Sequence, residues 1–176
     1  MTPPQKVTLP TGELIPARNK AAARAPELPD VTVFLITVGE HTTDDALLAL
    51  HRQNAGPVKI EFVLNVAPMD AAFQQMIDRC RTRYYVQVDA DMILHPDAVR
   101  SLHELISCYR AGAAMICAPL WDDFDDRPIF GVKIYDHGVF SRFPYRESLS
   151  CEVDQLARVE AAGHWWQTVP LAERDH

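Results

Sequence analysis

The alternation of apolar, strand-like runs with helix-like segments constrains the fold of this chain most. Four runs are continuous, β-rich and apolar, which is typical of strands buried on both faces of a parallel sheet. They span residues 31–38, 58–66, 84–88 and 113–119. The intervening segments have helical periodicity, as where Phe73, Met76 and Cys80 fall at i, i+3 and i+7. The alternation predicts an α/β domain with a mostly parallel sheet and helices on both faces.

The last third of the chain is less regular. Two β segments, at about 129–135 and 139–143, predict a hairpin that turns at Asp136-His137-Gly138. A last helix is expected at about 151–162, leading to the sequence WWQTV. In a sheet of this type, ligands bind beyond the carboxyl ends of the strands.

Length and composition fit one globular domain. The chain has 176 residues, of which 48% are hydrophobic and 23% charged, and domains of roughly 100 to 200 residues are common. Six of the 13 prolines lie in the first 30 residues, where apolar periodicity is weak. We therefore expect a Pro-rich extended arm over residues 1–30 and a single domain over residues 31–176.

Net charge and hydropathy limit which classes of partner and which cellular location are expected. The net charge is -7 and the Lys and Arg residues are scattered, so no nucleic acid partner is expected. No run approaches the roughly 18 to 20 apolar residues that span a bilayer, and the N-terminus has no apolar signal region, which predicts no transmembrane segment and a cytoplasmic location. Without C-x-x-C spacing, the four cysteines are expected to be reduced core residues. They are Cys80, Cys108, Cys117 and Cys151.

The most informative motif is an apolar strand that ends in two aspartates. Residues 84–88 lead directly into Asp89, Ala90 and Asp91. A turn at a strand end can bring both carboxylates toward one cation, and Mg²⁺ or Mn²⁺ is commonly held by one or two carboxylates together with substrate phosphates. Such an ion stabilises the charge on a departing diphosphate. The alternative interpretation is a polar turn, since Asp is common at strand ends.

Three segments resemble the GT-A glycosyltransferases, in particular the inverting family-2 enzymes. They are ITVGE after the first strand, YYVQVDADMILHPDAV around the two aspartates, and CEVDQLARVEAAGH late in the chain. The resemblance implies a GT-A fold, a nucleotide-diphosphate sugar as donor, with a UDP-sugar expected, and a hydroxyl group of a glycan or another molecule as acceptor. In that family the first Asp of D-x-D contacts the ribose or a metal-bound water and the second ligates the metal. Those roles fall on Asp89 and Asp91.

The resemblance also implies a donor pocket at the strand ends. Its expected members are Thr37, Val38, Gly39, Glu40, Asn65, Asp89 and Ala90. Glu40 would lie near the base or ribose. Asn65 stands where the family usually has an Asp that recognises the base. Because an amide both donates and accepts hydrogen bonds, Asn65 could still recognise uracil. Phe73, near where many relatives carry an Asn, is expected to pack in the core.

An inverting transfer requires a carboxylate that takes the proton of the acceptor hydroxyl. Aligning the end of the late segment places Glu152 where the family has its catalytic Asp, although Cys151 replaces the acid that usually precedes it. Helical spacing puts Glu152 closer than Asp154 to the buried side of this helix. Glu152 is the expected base, with Asp154 as the alternative. The buried side is expected at Val153, Leu156, Ala157 and Val159.

A late His is sometimes the third metal ligand in this fold. The chain offers His137, His164 and His176, and His164 is included in the expected metal set because it follows the last helix. A surface or satisfied core histidine is the alternative interpretation of each.

An acidic and aromatic loop, WDDFDDRP at residues 121–128, follows the fourth strand. Trp121 is expected to stack on the acceptor, and Asp122 and Asp123 to hydrogen bond to it. A solvated acidic loop in which Trp121 covers the core is the alternative.

Two other functions compete with sugar transfer. A sugar nucleotidyltransferase has a related α/β layout and uses a metal, but it normally carries a Gly-rich, basic phosphate loop after the first strand. The segment ITVGEHTTDD has neither those glycines nor an Arg. The other alternative is a non-catalytic GT-A domain that binds a nucleotide or carbohydrate without turnover.

Overall fold

A computed structural model describes residues 27–169 of the chain. Residues 1–26 of the expected arm, and His176, lie outside the described residues. The strands are β1 Val31–Thr37, β2 Lys59–Leu64, β3 Tyr84–Asp89, β4 Met115–Cys117, β5 Leu120–Asp122, β6 Arg127–Ile129, β7 Lys133–Asp136 and β8 Trp166–Thr168. The helices are α1 Thr43–His51, α2 Met69–Arg79, α3 Ala98–Glu104, α4 His137–Phe140 and α5 Cys151–Ala161, with a π-helical turn Leu105–Tyr109 extending α3.

Six strands form one sheet in the order β2-β1-β3-β7-β4-β8. Strand β7 is antiparallel to its neighbours β3 and β4, whereas the other pairs in this sheet are parallel. The predicted α/β fold with a mostly parallel sheet is confirmed. Its consequence is that β1, β2, β3, β4 and β8 all end at the same edge of the sheet. The first residue of β7, Lys133, pairs with Gln87 of β3 and Cys117 of β4 and so lies near that edge too.

Helices cover both faces of the sheet, and each face has its own hydrophobic core. On one face α1 and α3 pack through Leu50, Val99 and Leu102. On the other, α2 and α5 pack through Phe73, Met76, Val159 and their neighbours. Strand residues alternate between the two cores, as β geometry requires, so strands such as β1 are apolar on both sides. The expectation that Phe73 packs in the core is confirmed, since it is 3% exposed.

The predicted hairpin over residues 129–143 is wrong. Strand β7 is bonded on both sides, by β3 and by β4, so it has no open edge for a following strand. The chain instead turns into α4, where the backbone N–H of His137 donates to Arg83 O at 2.9 Å and Phe140 is buried in the second core. The hairpin that does form joins β5 to β6 through the acidic segment.

Two smaller expectations also change. Leu28 is 8% exposed and belongs to the first core, so the described fold begins before residue 31. Cys80, Cys117 and Cys151 are buried free thiols, but Cys108 is exposed on the π-helical turn, contrary to the expectation of four core cysteines. Within residues 27–169, no helix is both long and apolar enough to cross a membrane.

Candidate active site

Asp89 is the last residue of β3, and the chain turns sharply after it. The backbone N–H of Met92 donates to Asp89 O at 3.0 Å, and the N–H of Ala90 donates to Ile36 O on β1 at 3.0 Å. Ala90 is buried, which leaves Asp89 partly buried at the sheet edge while Asp91 is exposed. The turn therefore puts one carboxylate at the rim of the core and the next in solvent.

The environment of Asp89 is unfavourable to its charged form. Burial, followed by the negative charge of Glu152, raises the pKa of Asp89 to about 6. The ammonium of Lys133 and a hydrogen bond from Gln87 oppose that rise in pKa, and Asp91 adds a weaker increase. A carboxylate whose pKa is shifted by burial together with a nearby charge is a candidate functional residue.

Glu152 lies in the first turn of α5 and contacts β7. Lys133 Nζ lies 3.0 Å from Glu152 Oε1, and the side chains are 16% and 33% exposed respectively. The Tyr135 hydroxyl is 3.1 Å from Gln87 Oε1 and 3.4 Å from Glu152 Oε1, so its proton serves one of these acceptors at a time. We call Gln87, Asp89, Lys133, Tyr135 and Glu152 the strand-tip cluster.

Strand alternation explains why these side chains meet. Residues two apart on a strand share a face, which puts Gln87 with Asp89 on β3 and Lys133 with Tyr135 on β7. Register places Gln87 directly opposite Lys133, and α5 packs over this same face. Gln87, Lys133 and Tyr135 did not figure among the expected site residues. Gln87 is the one polar residue between apolar neighbours in YYVQV, and that interruption was the available signal.

Asp154 points to a different partner. Its Oδ2 accepts from Arg158 Nε at 2.9 Å, one turn along the helix, and Arg158 also donates to Pro144 O at 2.8 Å. Of the two acids considered as the base, Glu152 is the one that joins the strand-tip cluster.

The expected buried side of α5 is wrong in part. Val153 is 67% exposed and Ala157 is also exposed, whereas Cys151, Gln155 and Val159 are buried. Gln155 is buried because its amide donates to Phe143 O at 2.7 Å. Apolar spacing alone could not select a buried glutamine.

The turn after β1 is held by its own side chains. Glu40 Oε2 accepts from the Thr37 hydroxyl at 2.6 Å and from the Val38 N–H at 2.9 Å, and the Thr37 hydroxyl in turn accepts from the Gly39 N–H at 2.9 Å. The Thr37 hydrogen bond, together with backbone N–H groups, lowers the pKa of Glu40. Gly39 has φ of +99°, a conformation that favours glycine. Val38 is left 61% exposed beside the strand ends.

Asn65 joins this turn to the end of β2. Its backbone N–H donates to Thr37 O at 2.9 Å, its φ is +52°, and its side chain is exposed. Asn tolerates this left-handed conformation better than most residues. The ends of β1, β2 and β3 therefore meet at one edge, as expected for parallel neighbours.

The histidines lie elsewhere. His164 Nε2 is 2.8 Å from Arg142 Nη2 and its ring packs edge-on against Phe143. It follows the C-terminus of α5, and Glu152 lies in the first turn at the opposite end of this 11-residue helix. His137 Nε2 is 3.0 Å from Ile77 O. The structure does not bring these histidines to Asp89.

Whether this site fits a divalent metal depends on the carboxylate oxygens of Asp89 and Asp91. Among residues 27–169, no three His, Cys, Asp or Glu side chains form a group that could hold a metal ion. Asp89 and Asp91 supply carboxylate oxygens, the ligand type that Mg²⁺ and Mn²⁺ prefer, and these ions commonly complete their shell with substrate phosphates and water. The residues present therefore fit a metal that arrives with a phosphate ligand rather than one held by protein alone.

The expected acceptor residues lie on the β5–β6 hairpin. Trp121 Nε1 donates to Asp126 Oδ1 at 3.1 Å, and Asp122 Oδ1 accepts from the N–H groups of Phe124 at 2.9 Å and Asp125 at 3.3 Å. Asp123 is exposed. Asp122 and Asp126 thus stabilise the turn of their own hairpin.

A cavity of about 420 Å³ lies between this hairpin and the end of β8. Its wall is mainly apolar and includes Pro128, Ile129, Phe130 and Val169, with Arg127 as its cation. Because β8 ends at the same edge as β3, the cavity and the strand-tip cluster lie on the same side of the molecule.

Comparison with known proteins defines the class of fold. No protein-family model matches the chain, and a search of curated proteins finds no significant match. Solved structures do match. The mixed α/β architecture with its mainly parallel six-stranded sheet is the GT-A, or nucleotide-diphospho-sugar transferase, fold, which glycosyltransferases and nucleotidyltransferases share.

Particular matches come from both groups of enzymes. The mannosyltransferase PcManGT from Pyrobaculum calidifontis, in complex with GDP-Man and Mn²⁺, has a TM-score of 0.65 and 12% identity over 86% of this chain and 59% of its own. Glucosyl-3-phosphoglycerate synthase from Mycobacterium tuberculosis, in complex with Mn²⁺ and UDP, has a TM-score of 0.56 and 12% identity over 83% and 72%. The 4-diphosphocytidyl-2C-methyl-D-erythritol synthase from Anaerococcus prevotii has a TM-score of 0.53 and 6% identity over 80% of this chain and 89% of its own. This chain therefore spans about three fifths of the mannosyltransferase and most of the cytidylyl enzyme.

Proposed function

We propose that the protein transfers a sugar from a nucleotide-diphosphate sugar to a hydroxyl acceptor, with inversion, and that Glu152 is the base. The observation that carries this proposal is the strand-tip cluster, where Asp89 and Glu152 come from β3 and α5 and influence each other electrostatically. One acid stands at the strand end and the other across the same face of the sheet. An inverting transfer requires such a pair, since the leaving diphosphate and the attacking hydroxyl lie on opposite sides of the sugar.

Each residue has a defined task in this proposal. Asp89 and Asp91 would hold a Mn²⁺ or Mg²⁺ ion, which when bound neutralises charge on the diphosphate. Glu152 accepts the proton of the acceptor hydroxyl while the acceptor oxygen bonds to the anomeric carbon and the bond from that carbon to the diphosphate oxygen breaks. Before the donor binds, Tyr135 and Lys133 hold the Glu152 carboxylate through their contacts of 3.4 and 3.0 Å.

The nucleoside is assigned to the edge formed by β1 and β2. The turn of Thr37, Val38, Gly39 and Glu40 lies there with Val38 exposed, and Asn65 adds an exposed side-chain amide. Both a UDP and a GDP donor are to be tested, because the two glycosyltransferase structures that match in fold contain UDP and GDP-Man respectively. The acceptor is assigned to the β5–β6 side, with Trp121, Asp122 and Asp123.

The first experiment measures thermal stabilisation by UDP and GDP, each at millimolar concentration with and without Mn²⁺. We expect one nucleotide to raise the Tm in Mn²⁺, and Asp91→Ala to remove most of that rise. Asp78→Ala is the matched control, since Asp78 is an exposed aspartate on α2 whose Oδ1 accepts from Gln74. If neither nucleotide stabilises the protein in Mn²⁺, the proposed donor site is wrong.

Turnover distinguishes the competing functions. Hydrolysis of a nucleotide sugar in the absence of acceptor supports a transferase, and binding without hydrolysis or transfer supports a non-catalytic domain. Release of pyrophosphate from CTP or UTP in the presence of a sugar phosphate would instead support a nucleotidyltransferase.

A further inference from the structure

Lys133 lies at the centre of the strand-tip cluster without a place in the D-x-D motif. It begins β7 at the edge where the parallel strands end, and its side chain is 16% exposed. Its ammonium is 3.0 Å from Glu152 Oε1 and its charge also acts on Asp89. The cation is therefore paired with the acid assigned to the acceptor and also acts electrostatically on the acid assigned to the leaving group.

The ion pair places a constraint on Glu152. Lys133 Nζ lies 3.0 Å from Glu152 Oε1, so an oxygen that would take the proton of the acceptor hydroxyl already accepts a charge-assisted hydrogen bond. A base must therefore leave this partner, or share it, when the acceptor hydroxyl arrives. Lysine suits such an exchange because its charge is compact and its four-carbon stem is flexible.

We propose that Lys133 contacts the diphosphate of the nucleotide and exchanges Glu152 for it, so that donor binding releases the base. This inference rests on the proposed function and assigns a phosphate-binding residue to the same site. A diphosphate carries more negative charge than a carboxylate and attracts the ammonium more strongly at equal distance.

The exchange makes two predictions of opposite sign. Removing the ammonium weakens nucleotide binding, whereas removing the charge of Glu152 strengthens it, because Lys133 is then no longer held by a competing carboxylate. A purely structural ion pair does not predict the increase on loss of the Glu152 charge, since loss of either partner would only loosen the site.

The experiment is calorimetric titration of UDP or GDP, whichever stabilises the protein in Mn²⁺, repeated in EDTA. We expect Lys133→Met to weaken binding in EDTA by about tenfold, the value of one charge-assisted hydrogen bond, and Lys133→Arg to stay within about threefold of wild type. Glu152→Gln should tighten binding by about two- to fivefold. Lys59→Met is the matched control, because Lys59 Nζ lies 2.6 Å from Glu61 Oε1 on β2, and it should bind as wild type does.

The double variant Lys133→Met/Glu152→Gln guards against misfolding, since it removes both charges of the ion pair together and Asp89 keeps its hydrogen bond from Gln87. It should fold and bind as weakly as Lys133→Met. The inference is overturned if wild type binds in Mn²⁺ but not at all in EDTA, if Lys133→Met or the double variant binds as tightly as wild type in EDTA, or if Glu152→Gln weakens binding. Failure of wild type to bind either nucleotide even in Mn²⁺ would instead overturn the proposed function, and this inference with it.

Discussion

The tip of β3 and the β5–β6 hairpin are both rich in acids, but they use them in opposite ways. In the hairpin, Asp122 and Asp126 accept hydrogen bonds from the turn they belong to. In the strand-tip cluster, burial and Glu152 raise the pKa of Asp89 to about 6. An acid that stabilises its own turn is explained by folding. An acid held in an unfavourable environment by the rest of the fold indicates a function outside folding.

The largest effect expected from this difference is on turnover. Glu152→Gln keeps the size of the side chain but removes the proton acceptor, and we expect it to lower sugar transfer or donor hydrolysis by about 100-fold or more. The assay is initial-rate hydrolysis of the nucleotide sugar that stabilises the protein best. Asp154→Asn is the control on the same helix, because its i,i+4 pair with Arg158 is partly exposed and worth at most about 1 kcal/mol. A larger loss of turnover in Asp154→Asn than in Glu152→Gln would mean that Asp154, and not Glu152, is the base.

The next effect is on stability and depends on pH. The folded pKa of Asp89 is about 6 against an ordinary value of 3.8, so the native state binds this proton more tightly than the unfolded chain does. Stability from this group is therefore full below about pH 4 and is lost as the pH rises toward 6. Asn cannot ionise, so Asp89→Asn should be more stable than wild type above pH 6, by at most about 3 kcal/mol.

Urea unfolding at pH 4 and pH 7.5 measures this gain, which should be small at the lower pH. Asp122→Asn, in the hairpin, is the comparison and should show no such pH-dependent gain. Equal stability of Asp89→Asn and wild type at pH 7.5 would show that Asp89 is not under the electrostatic stress assigned to it.

Sequence patterns predicted what depends on local periodicity. The buried strands β1 and β3, the covering helices and the core position of Phe73 all follow from apolar spacing. Sequence patterns could not predict the contacts that depend on how strands pair across the sheet. Lys133 joins the site only because β7 inserts between β3 and β4 in antiparallel orientation, and nothing in the local sequence fixes that order. The same insertion explains why the predicted hairpin over residues 129–143 does not form.

A substitution at the base of the β5–β6 hairpin is expected to have an effect of intermediate size on the stability of the protein. A Cβ at Gly131 would lie 2.5 Å from both Leu120 Cγ and Leu120 N, and 2.6 Å from Ala118 O. Because backbone atoms cannot move aside as a side-chain tip can, Gly131→Ala should destabilise the protein by about 1 to 3 kcal/mol. Gly138→Ala is the control, since its Cβ would meet only the Asp136 carboxylate oxygen at 3.1 Å. Chemical unfolding compares the two, and similar stabilities would mean that the hairpin is not seated as described.

The smallest effect tests the hairpin acids directly. Asp122→Ala removes the acceptor for two exposed backbone N–H groups, which water can replace, so we expect a loss of about 0.5 to 1 kcal/mol and little change in nucleotide affinity. Asp123→Ala, one residue along, should change stability less. Measured with an acceptor present, however, the two variants separate the interpretations of this loop. If either variant raises the KM for acceptor without a matching loss of stability, the hairpin contributes to binding as well as to its own turn. If turnover changes only as much as stability does, the hairpin acids serve the fold alone, unlike the acids of the strand-tip cluster.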